Sequence, residues 1–243
     1  MPIIDHREYD RNNLERHFVK DGGDILYGER DVARRLYADC EKHRLHWHMW
    51  HSLRLSIPVK EQQEIEIDFF LMCEAGAVII EVKGGIVECR DGVYYLIHNN
   101  QESVLPRTPF NQAADYKHAL INNSVVDSNV FISIACAFPH TPVDRRLANA
   151  INKFDILWDK TLQDDPSVSL ADFLEKIIRT DREKYPYRTG DLNEVELNAA
   201  VRALAPNIRN PLRFSEENIE EFLRMIDVSN AETLDSLRKN RQL

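Results

Sequence analysis

The stretch that decides the fold is EIEIDFFLMC at residues 64–73, followed after a Glu-Ala-Gly turn by AVIIEVKGG at residues 77–85. A strand places alternate side chains on one face, so Glu81 and Lys83 project together. Ile80 and Val82 then point the other way, into a core. Because the two segments form a hairpin, Asp68 lies on the neighbouring strand. The sequence therefore predicts two acids and a lysine at one sheet edge.

An Asp facing a Glu-x-Lys across a hairpin is suited to metal chemistry. Hard divalent cations prefer carboxylate oxygens as ligands, and an ammonium group can stand beside a water that the metal activates. The Glu-x-Lys tripeptide alone occurs by chance in many sequences of this length, and Lys83 has a plain alternative role as the ion-pair partner of Glu81. The ordered set of motif residues along the chain is therefore more informative than the tripeptide.

That ordered set resembles the NERD (nuclease-related domain) branch of the PD-(D/E)xK nuclease superfamily, over roughly the central half of the chain. Glu29 matches the family's first acidic position, Asp68 the second, and EVKGG at residues 81–85 the E-V-K-G core. PFNQ at residues 109–112 resembles the final motif, and Tyr116 completes a Gln-x3-Tyr motif similar to that of RecB-like nucleases. The resemblance implies a restriction-endonuclease-like α/β fold, in which helices flank a mixed central sheet.

The resemblance also implies a reaction, the metal-assisted hydrolysis of phosphodiester bonds. Asp68, Glu81 and the backbone carbonyl of Val82 would bind Mg²⁺ or Mn²⁺, with Glu29 acting through water. Lys83 would orient the attacking water and stabilise developing charge. The implied catalytic residues are Glu29, Asp68, Glu81, Lys83 and Gln112.

Residues on two predicted helices are candidates for binding nucleic acid. These are Arg34 on the first long helix, and Tyr116 and Lys117 beside Gln112, which would position a phosphate or the Lys83 ammonium. The alternative for Arg34 and Lys117 is an ordinary solvated face. The formal net charge of −9 opposes tight autonomous binding of DNA, since Lys and Arg bind phosphate. It does not oppose catalysis, because a metal site must itself be acidic.

Three further features have plain structural explanations. Imidazoles two apart on a strand share a face, as zinc sites exploit, but no cysteine or carboxylate is fixed near His43, His46, His48 and His51, so we interpret this cluster as a solvated face. The four cysteines lack Cys-x-x-Cys spacing, which predicts packing in a reducing environment. Glu29 has an alternative role too, since an acid in the first turn complements the helix dipole.

The chain divides into three predicted regions: an N-terminal helical segment (1–22), a NERD-like nuclease domain (23–185) and a C-terminal helical appendage (186–243). Periodicity and turn signals predict the elements within them. These are a helix from residue 28, a strand over 45–57, an antiparallel meander from the hairpin through 85–98, a polar and mobile connection over 99–108, a helix over 112–121, strands over 130–138 and 153–158, and helices from 169, over 193–204 and over 215–226.

Composition bounds the function further. With 43% hydrophobic and 29% charged residues the chain is typical of soluble globular proteins, and no apolar run approaches the ~20 residues of a membrane span. Its first residues are too polar for a signal peptide, which predicts a cytoplasmic location. The resemblance to the NERD family implies a metal-dependent deoxyribonuclease of bacterial or plasmid DNA defence, such as antiphage defence, or of DNA processing. Its partners would be DNA, a helicase or other protein, and a second copy of the chain, but no membrane. The alternative is a catalytically silent nucleic-acid- or protein-binding module with a nuclease fold, acting as a subunit of a larger assembly.

Overall fold

Two β-sheets and five α-helices make up the part of the chain that the computed structural model describes, residues 3–5, 18, 26–43, 46–55, 64–143, 154–185 and 190–204. All of these residues lie within the unit Met1–Ile208. In chain order the elements are β1 (Ile3–Asp5), α1 (Tyr27–His43), β2 (Trp47–Leu55), β3 (Ile65–Cys73), β4 (Gly76–Val82), β5 (Ile86–Arg90), β6 (Val93–His98), β7 (Gln101–Leu105), α2 (Pro109–Asn122), β8 (Ile132–Phe138), β9 (Leu157–Asp159), α3 (Lys160–Asp164), α4 (Leu170–Glu183) and α5 (Glu194–Leu204).

The larger sheet is mixed, with six strands in the order β1-β2-β3-β4-β8-β9. Strands β2, β3 and β4 are antiparallel, whereas β8 pairs parallel with both β4 and β9. Strand β4 is buried along its whole length, as expected of a strand covered on both faces, and its sequence is apolar except for Glu81. The predicted restriction-endonuclease-like core of a mixed sheet flanked by helices is therefore confirmed, as are the central hairpin and the strand predicted over 130–138.

Helices cover both faces of this sheet and create two apolar cores. The first core contains Val32 and Leu36 of α1, and Leu174 and Ile178 of α4. The second core contains Ala113 and Leu120 of α2, and Val201 and Leu204 of α5. Neighbouring residues of β4 alternate between the cores, since Ile80 belongs to the first and Ile79 to the second.

Strands β5, β6 and β7 form a separate antiparallel sheet, so two predictions for this region are wrong. The chain does not continue the central meander after β4, because β8 already occupies the next position in the larger sheet. The connection over 99–108 contains strand β7, which pairs with β6 although its side chains are largely exposed. The polar sequence of β7 does not indicate a strand, and backbone pairing with β6 stabilises it.

The ends of the chain also differ from the prediction. Strand β1 lies in the segment predicted to be helical and pairs parallel with the start of β2. Most of the predicted N-terminal helical segment (1–22) falls outside the described residues, which there include only 3–5 and Phe18, and so does the helix expected over 215–226. Helix α5 agrees with the prediction for 193–204. Within the described residues no helix is long and apolar enough to cross a membrane.

Candidate active site

The hairpin of β3 and β4 opens at the end that carries the predicted site. Its backbone pairing ends at Phe69 and Ile80, one position before Asp68 and Glu81 would meet. At this point a side-chain hydrogen bond takes the place of backbone pairing, since Asp68 Oδ2 accepts a hydrogen bond of 2.7 Å from the Val82 N–H. Asp68 and Glu81 therefore lie at a fork between two strands that separate.

Two features of the neighbouring strands fix this fork. On one side β4 stays paired with β8, and the Lys83 N–H continues the ladder by donating to the Ala137 carbonyl at 2.9 Å. On the other side Ser52 of β2, which lies opposite Asp68 in the register, has a φ of 47°. This left-handed conformation is uncommon for a residue with a side chain. The backbone of β4 is thus held by β8, while β2 departs from regular strand conformation at Ser52.

Glu81 is the most enclosed charged group of the site, with 1% of its side chain exposed. Its Oε1 accepts a hydrogen bond of 2.5 Å from the Lys83 ammonium. Its Oε2 is buried and has no hydrogen-bond partner among the groups that the structure describes. Such an unsatisfied buried oxygen is rare in folded proteins and points to a ligand that is not part of the chain.

Burial and neighbouring charges shift the pKa values of Asp68, Glu81 and Lys83. Desolvation raises the pKa of Asp68, and the charge of Glu29 raises it further. Desolvation also raises the pKa of Glu81, with Asp68 as the next cause. Desolvation lowers the pKa of Lys83, but the charge and hydrogen bond of Glu81 outweigh it and leave that pKa raised. Lys83 is therefore an ammonium at neutral pH, and the acids need more positive charge than it supplies.

Glu29 reaches this cluster from the first turn of α1, as predicted. Close backbone packing places the helix there, because a Cβ on Gly28 would lie 2.4 Å from the Cα of Gly84. The carboxylate is 2.6 Å from Nε2 of His51, a residue of β2 that the sequence interpretation did not include in the site. The charge of Glu29 contributes to the raised pKa values of both Asp68 and Glu81.

Gln112 and Tyr116 approach from the opposite face of the sheet, on α2. They face each other one turn apart, and Gln112 Nε2 donates to the Tyr116 hydroxyl at 2.9 Å. Burial raises the pKa of Tyr116, and the charges of Glu81 and Asp68 add to this effect. The predicted pair is thus formed, and Tyr116 lies within electrostatic range of the acids.

The two predicted basic contacts lie elsewhere. The Lys117 ammonium is 5.4 Å from the centroid of the Phe131 ring, and the Phe131 carbonyl accepts from the Ala77 N–H near the start of β4. Four residues of strand, about 13 Å, separate Ala77 from Glu81. Arg34 is 43% exposed on α1, with Asp31 3.8 Å away. Neither cation is shown beside the carboxylates.

The histidine cluster was interpreted wrongly as a solvated face. His46 is exposed, but His48 and His51 are buried. The second core contains Trp50, Leu53 and Leu55 of β2, so the alternation of side chains between the two faces shifts by one residue at Ser52. The polarity of a residue on this strand therefore does not predict its burial. In the described part of the chain no group of three or more His, Cys, Asp or Glu residues is arranged to hold a metal, which gives the zinc alternative no support.

A second histidine was also missed by the sequence interpretation. His140, just after β8, has Nδ1 2.6 Å from the Gly84 carbonyl and Nε2 3.0 Å from Asp31 Oδ2. Both partners only accept, so the contact favours the charged imidazole, in which both ring nitrogens donate. The hydrogen bond that His140 donates to Asp31 accordingly raises the pKa of His140. This contact joins α1 to the turn after Lys83, and no motif in the sequence marks it.

The geometry agrees with the comparison against protein families. Residues 26–139 match the family model described as nuclease-related domain, NERD. No curated protein and no solved structure matches the chain. The matched range includes Glu29, the fork of β3 and β4, and the Gln112–Tyr116 pair. The part of the chain that carries the candidate site is therefore the part that matches the nuclease-related domain family.

Proposed function

We propose that this protein is a metal-dependent deoxyribonuclease that hydrolyses phosphodiester bonds. The observation that carries the proposal is the buried Oε2 of Glu81, which has no hydrogen-bond partner among the described groups and lies at the fork opposite Asp68. A cation would satisfy this oxygen, and its charge would counter the desolvation and repulsion that raise the carboxyl pKa values. The family match to a nuclease-related domain supports the same reaction class.

The donor set fits Mg²⁺ or Mn²⁺. Asp68, Glu81 and the Val82 carbonyl offer only oxygen, and Mg²⁺ is usually held by one or two carboxylates together with water and substrate phosphate. Two carboxylates at the fork are therefore sufficient, although no described group of three metal-binding residues is present. When bound, the cation would polarise the phosphate and increase the acidity of a water molecule.

The chain's own residues supply the remaining steps. The Lys83 ammonium, 15% exposed and held by Glu81, would orient the attacking water and stabilise negative charge on the phosphoryl oxygens. Gln112, held by Tyr116, would donate an amide hydrogen bond to phosphate. The water oxygen forms a bond to phosphorus while the bond to the leaving oxygen breaks, which yields a phosphate monoester and a hydroxyl. Arg34 and Lys117 are proposed to contact DNA farther from the cleaved bond.

A cleavage assay tests this function. Plasmid, linear duplex, single-stranded DNA and RNA would each be incubated with the full-length protein and Mg²⁺ or Mn²⁺, and with EDTA as the control. We expect metal-dependent cleavage of at least one DNA substrate and none by Glu81→Gln prepared in parallel. Equal cleavage by wild type and Glu81→Gln would show that a contaminating nuclease, not this site, acts.

A catalytically silent binding module is the second candidate, and the net charge of −9 favours it. In that case the helicase, other protein or second copy proposed as partners would carry the biological activity, in DNA defence or processing. Gel-shift and cleavage assays on the same DNA separate the two functions. Binding without cleavage under every metal condition would favour the silent module.

A further inference from the structure

We propose that His51 is a positioning residue for Glu29, and that it holds this carboxylate in the orientation that supports divalent-cation binding at the fork. The inference rests on the proposed nuclease function. His51 lies outside the motifs of the family. It is not one of the groups expected to contact the cation or the phosphate.

The imidazole of His51 is a fixed hydrogen-bond donor. Its side chain is 1% exposed, and Nε2 lies 2.6 Å from Glu29 Oε2. A carboxylate only accepts, so Nε2 carries the hydrogen and donates it. The ring packs against two others, with centroid distances of 4.6 Å to Phe18 and 4.9 Å to Phe69. The Ser52 hydroxyl is 3.4 Å from the same Nε2, against 2.6 Å for Glu29, so the carboxylate is the nearer partner of this donor.

Glu29 needs such a partner because its backbone alone does not fix its carboxylate. The close packing of Gly28 on Gly84 sets where the first turn of α1 lies. A glutamate side chain still has several rotatable bonds, and ordering them at the moment of cation binding costs conformational entropy. A hydrogen bond from a rigid ring removes that freedom beforehand, as partners of metal-site residues commonly do.

The orientation matters because Glu29 acts on the two central acids. Its charge contributes to the raised pKa values of Asp68 and Glu81, so its carboxylate is close enough to add to the negative field at the fork. His51 lies on β2, the strand beside β3, and this strand changes conformation at the next residue, Ser52. His51 shares with Met49 the face of β2 that packs into the first core, so the strand brings a donor to the acid that the helix supplies.

The test compares Mn²⁺ affinity, measured by calorimetry on the full-length protein, for two substitutions of His51. His51→Gln keeps an N–H donor at about the reach of Nε2, whereas His51→Leu removes it. We expect His51→Leu to bind Mn²⁺ about tenfold more weakly, and His51→Gln to stay close to wild type. Glu29→Gln combined with His51→Leu should bind no more weakly than the weaker single variant, because both remove one function.

The matched control is His48→Leu, which removes another buried imidazole from β2, one stacked 6.4 Å from the Trp50 ring. It should lower the unfolding free energy without changing Mn²⁺ affinity. If His51→Leu does not fold, His51→Asn, whose shorter amide does not reach Glu29, takes its place. Wild-type Mn²⁺ affinity in the folded variant, or additive losses in the double variant, would overturn the proposal.

The cleavage assay on the same samples separates the two proposals. Wild type that binds Mn²⁺ but cuts no substrate contradicts the nuclease function, and the affinity series still decides the role of His51. An active wild type with an unaffected His51→Leu variant contradicts the positioning role alone. Wild type without measurable Mn²⁺ binding contradicts both.

Discussion

Glu81 is the residue at which burial and charge conflict most. Removing a carboxylate from water is costly unless each oxygen finds a partner, and here Lys83 satisfies only Oε1. An unsatisfied buried oxygen costs about 1–3 kcal/mol, which the fold tolerates at this position. A cation that binds the native state alone would offset this cost and stabilise the protein by mass action. The same atoms thus link stability to the proposed chemistry.

Asp68→Asn should abolish cleavage, with a loss of at least about a hundredfold. The amide keeps an oxygen to accept from the Val82 N–H but removes the negative charge beside Glu29 and Glu81. In EDTA the unfolding free energy should therefore hold or rise, measured by urea denaturation. Glu66→Gln, which changes an exposed acid two residues earlier on β3, is the control and should leave both quantities unchanged. Full activity in Asp68→Asn would remove this residue from the site.

Lys83→Ala should separate catalysis from cation binding. The ammonium is a point charge suited to water orientation, and its removal leaves Glu81 Oε1 without its partner. We therefore expect cleavage to fall while Mn²⁺ affinity, measured by calorimetry, is unchanged or higher. A loss of Mn²⁺ binding comparable to that in Asp68→Asn would show that Lys83 supports the cation site instead.

At the scale of elements, the site depends on strands that leave their regular pairing. The β3–β4 ladder stops at Phe69, and Asp68 then uses its side chain to hold β4. Ideal alternation predicts that Glu81 and Lys83 share a face, and they do contact each other. It also places His51 on the same face of β2 as Met49, but it does not predict the hydrogen bond between His51 and Glu29 or the left-handed backbone at Ser52. Motif spacing therefore identified the acids, whereas the residue that supports Glu29 is evident only from the tertiary contact between α1 and β2.

Gly28→Ala should destabilise the protein because it separates α1 from the turn after Lys83. The added Cβ would lie 2.4 Å from the Gly84 Cα, a backbone atom that cannot rotate away. Overpacking of this kind costs about 1–3 kcal/mol, which urea denaturation resolves. Glu41→Ala, at an exposed position of the same helix, should change little. Equal stability of the two variants would contradict the close contact.

The His140 contact between α1 and this turn should make stability depend on pH. The pKa of His140 is raised from 6.5, so its contribution is complete below that value and is lost as pH rises through the folded-state pKa. Burial raises the pKa of Asp31, but hydrogen bonds from His140 and Arg30 leave it below 3.8, so its contribution is lost only in acid. Lys160 opposes the His140 charge from α3. The contact should therefore stabilise most between these two ordinary values.

His140→Gln tests this dependence by urea denaturation at about pH 5.5 and about pH 8.5. The substitution should cost on the order of 1 kcal/mol at the lower pH, given the partial exposure of the pair, and less at the higher pH. His98→Gln, an exposed histidine at the end of β6, is the control. A larger cost at high pH would mean that neutral His140 makes the contact.

At the scale of the whole molecule, apolar patterning predicted more than polar patterning did. The hairpin, the strand over 130–138 and the helix over 193–204 were predicted because the apolar pattern of each segment fits only one type of buried element. Strand β7 and the buried histidines of β2 were missed because polar residues there are stabilised by backbone pairing and, at His51, by the contact with Glu29. The second sheet was missed for another reason, since only the topology shows that β8 already occupies the position beside β4.

Helix α5, the last helix of the described residues, extends the second core. Ala200, Val201 and Leu204 of α5 are buried in the second core, and the Leu192 N–H donates to the Glu74 carbonyl at 2.7 Å. Truncation after Thr189 should therefore expose apolar surface and cause association, seen by light scattering, while the cleavage chemistry survives better. In the full chain Leu204→Ala should cost about 2–5 kcal/mol of stability.

Val195→Ala is the matched control for this prediction, because Val195 lies on the same helix with 78% of its surface exposed. It should change the unfolding free energy by less than about 0.5 kcal/mol. Since none of the proposed DNA contacts lies on α5, the truncated protein should keep its affinity for DNA when it stays folded. A truncated protein that remains monodisperse yet no longer binds DNA would show instead that the C-terminal region contacts nucleic acid.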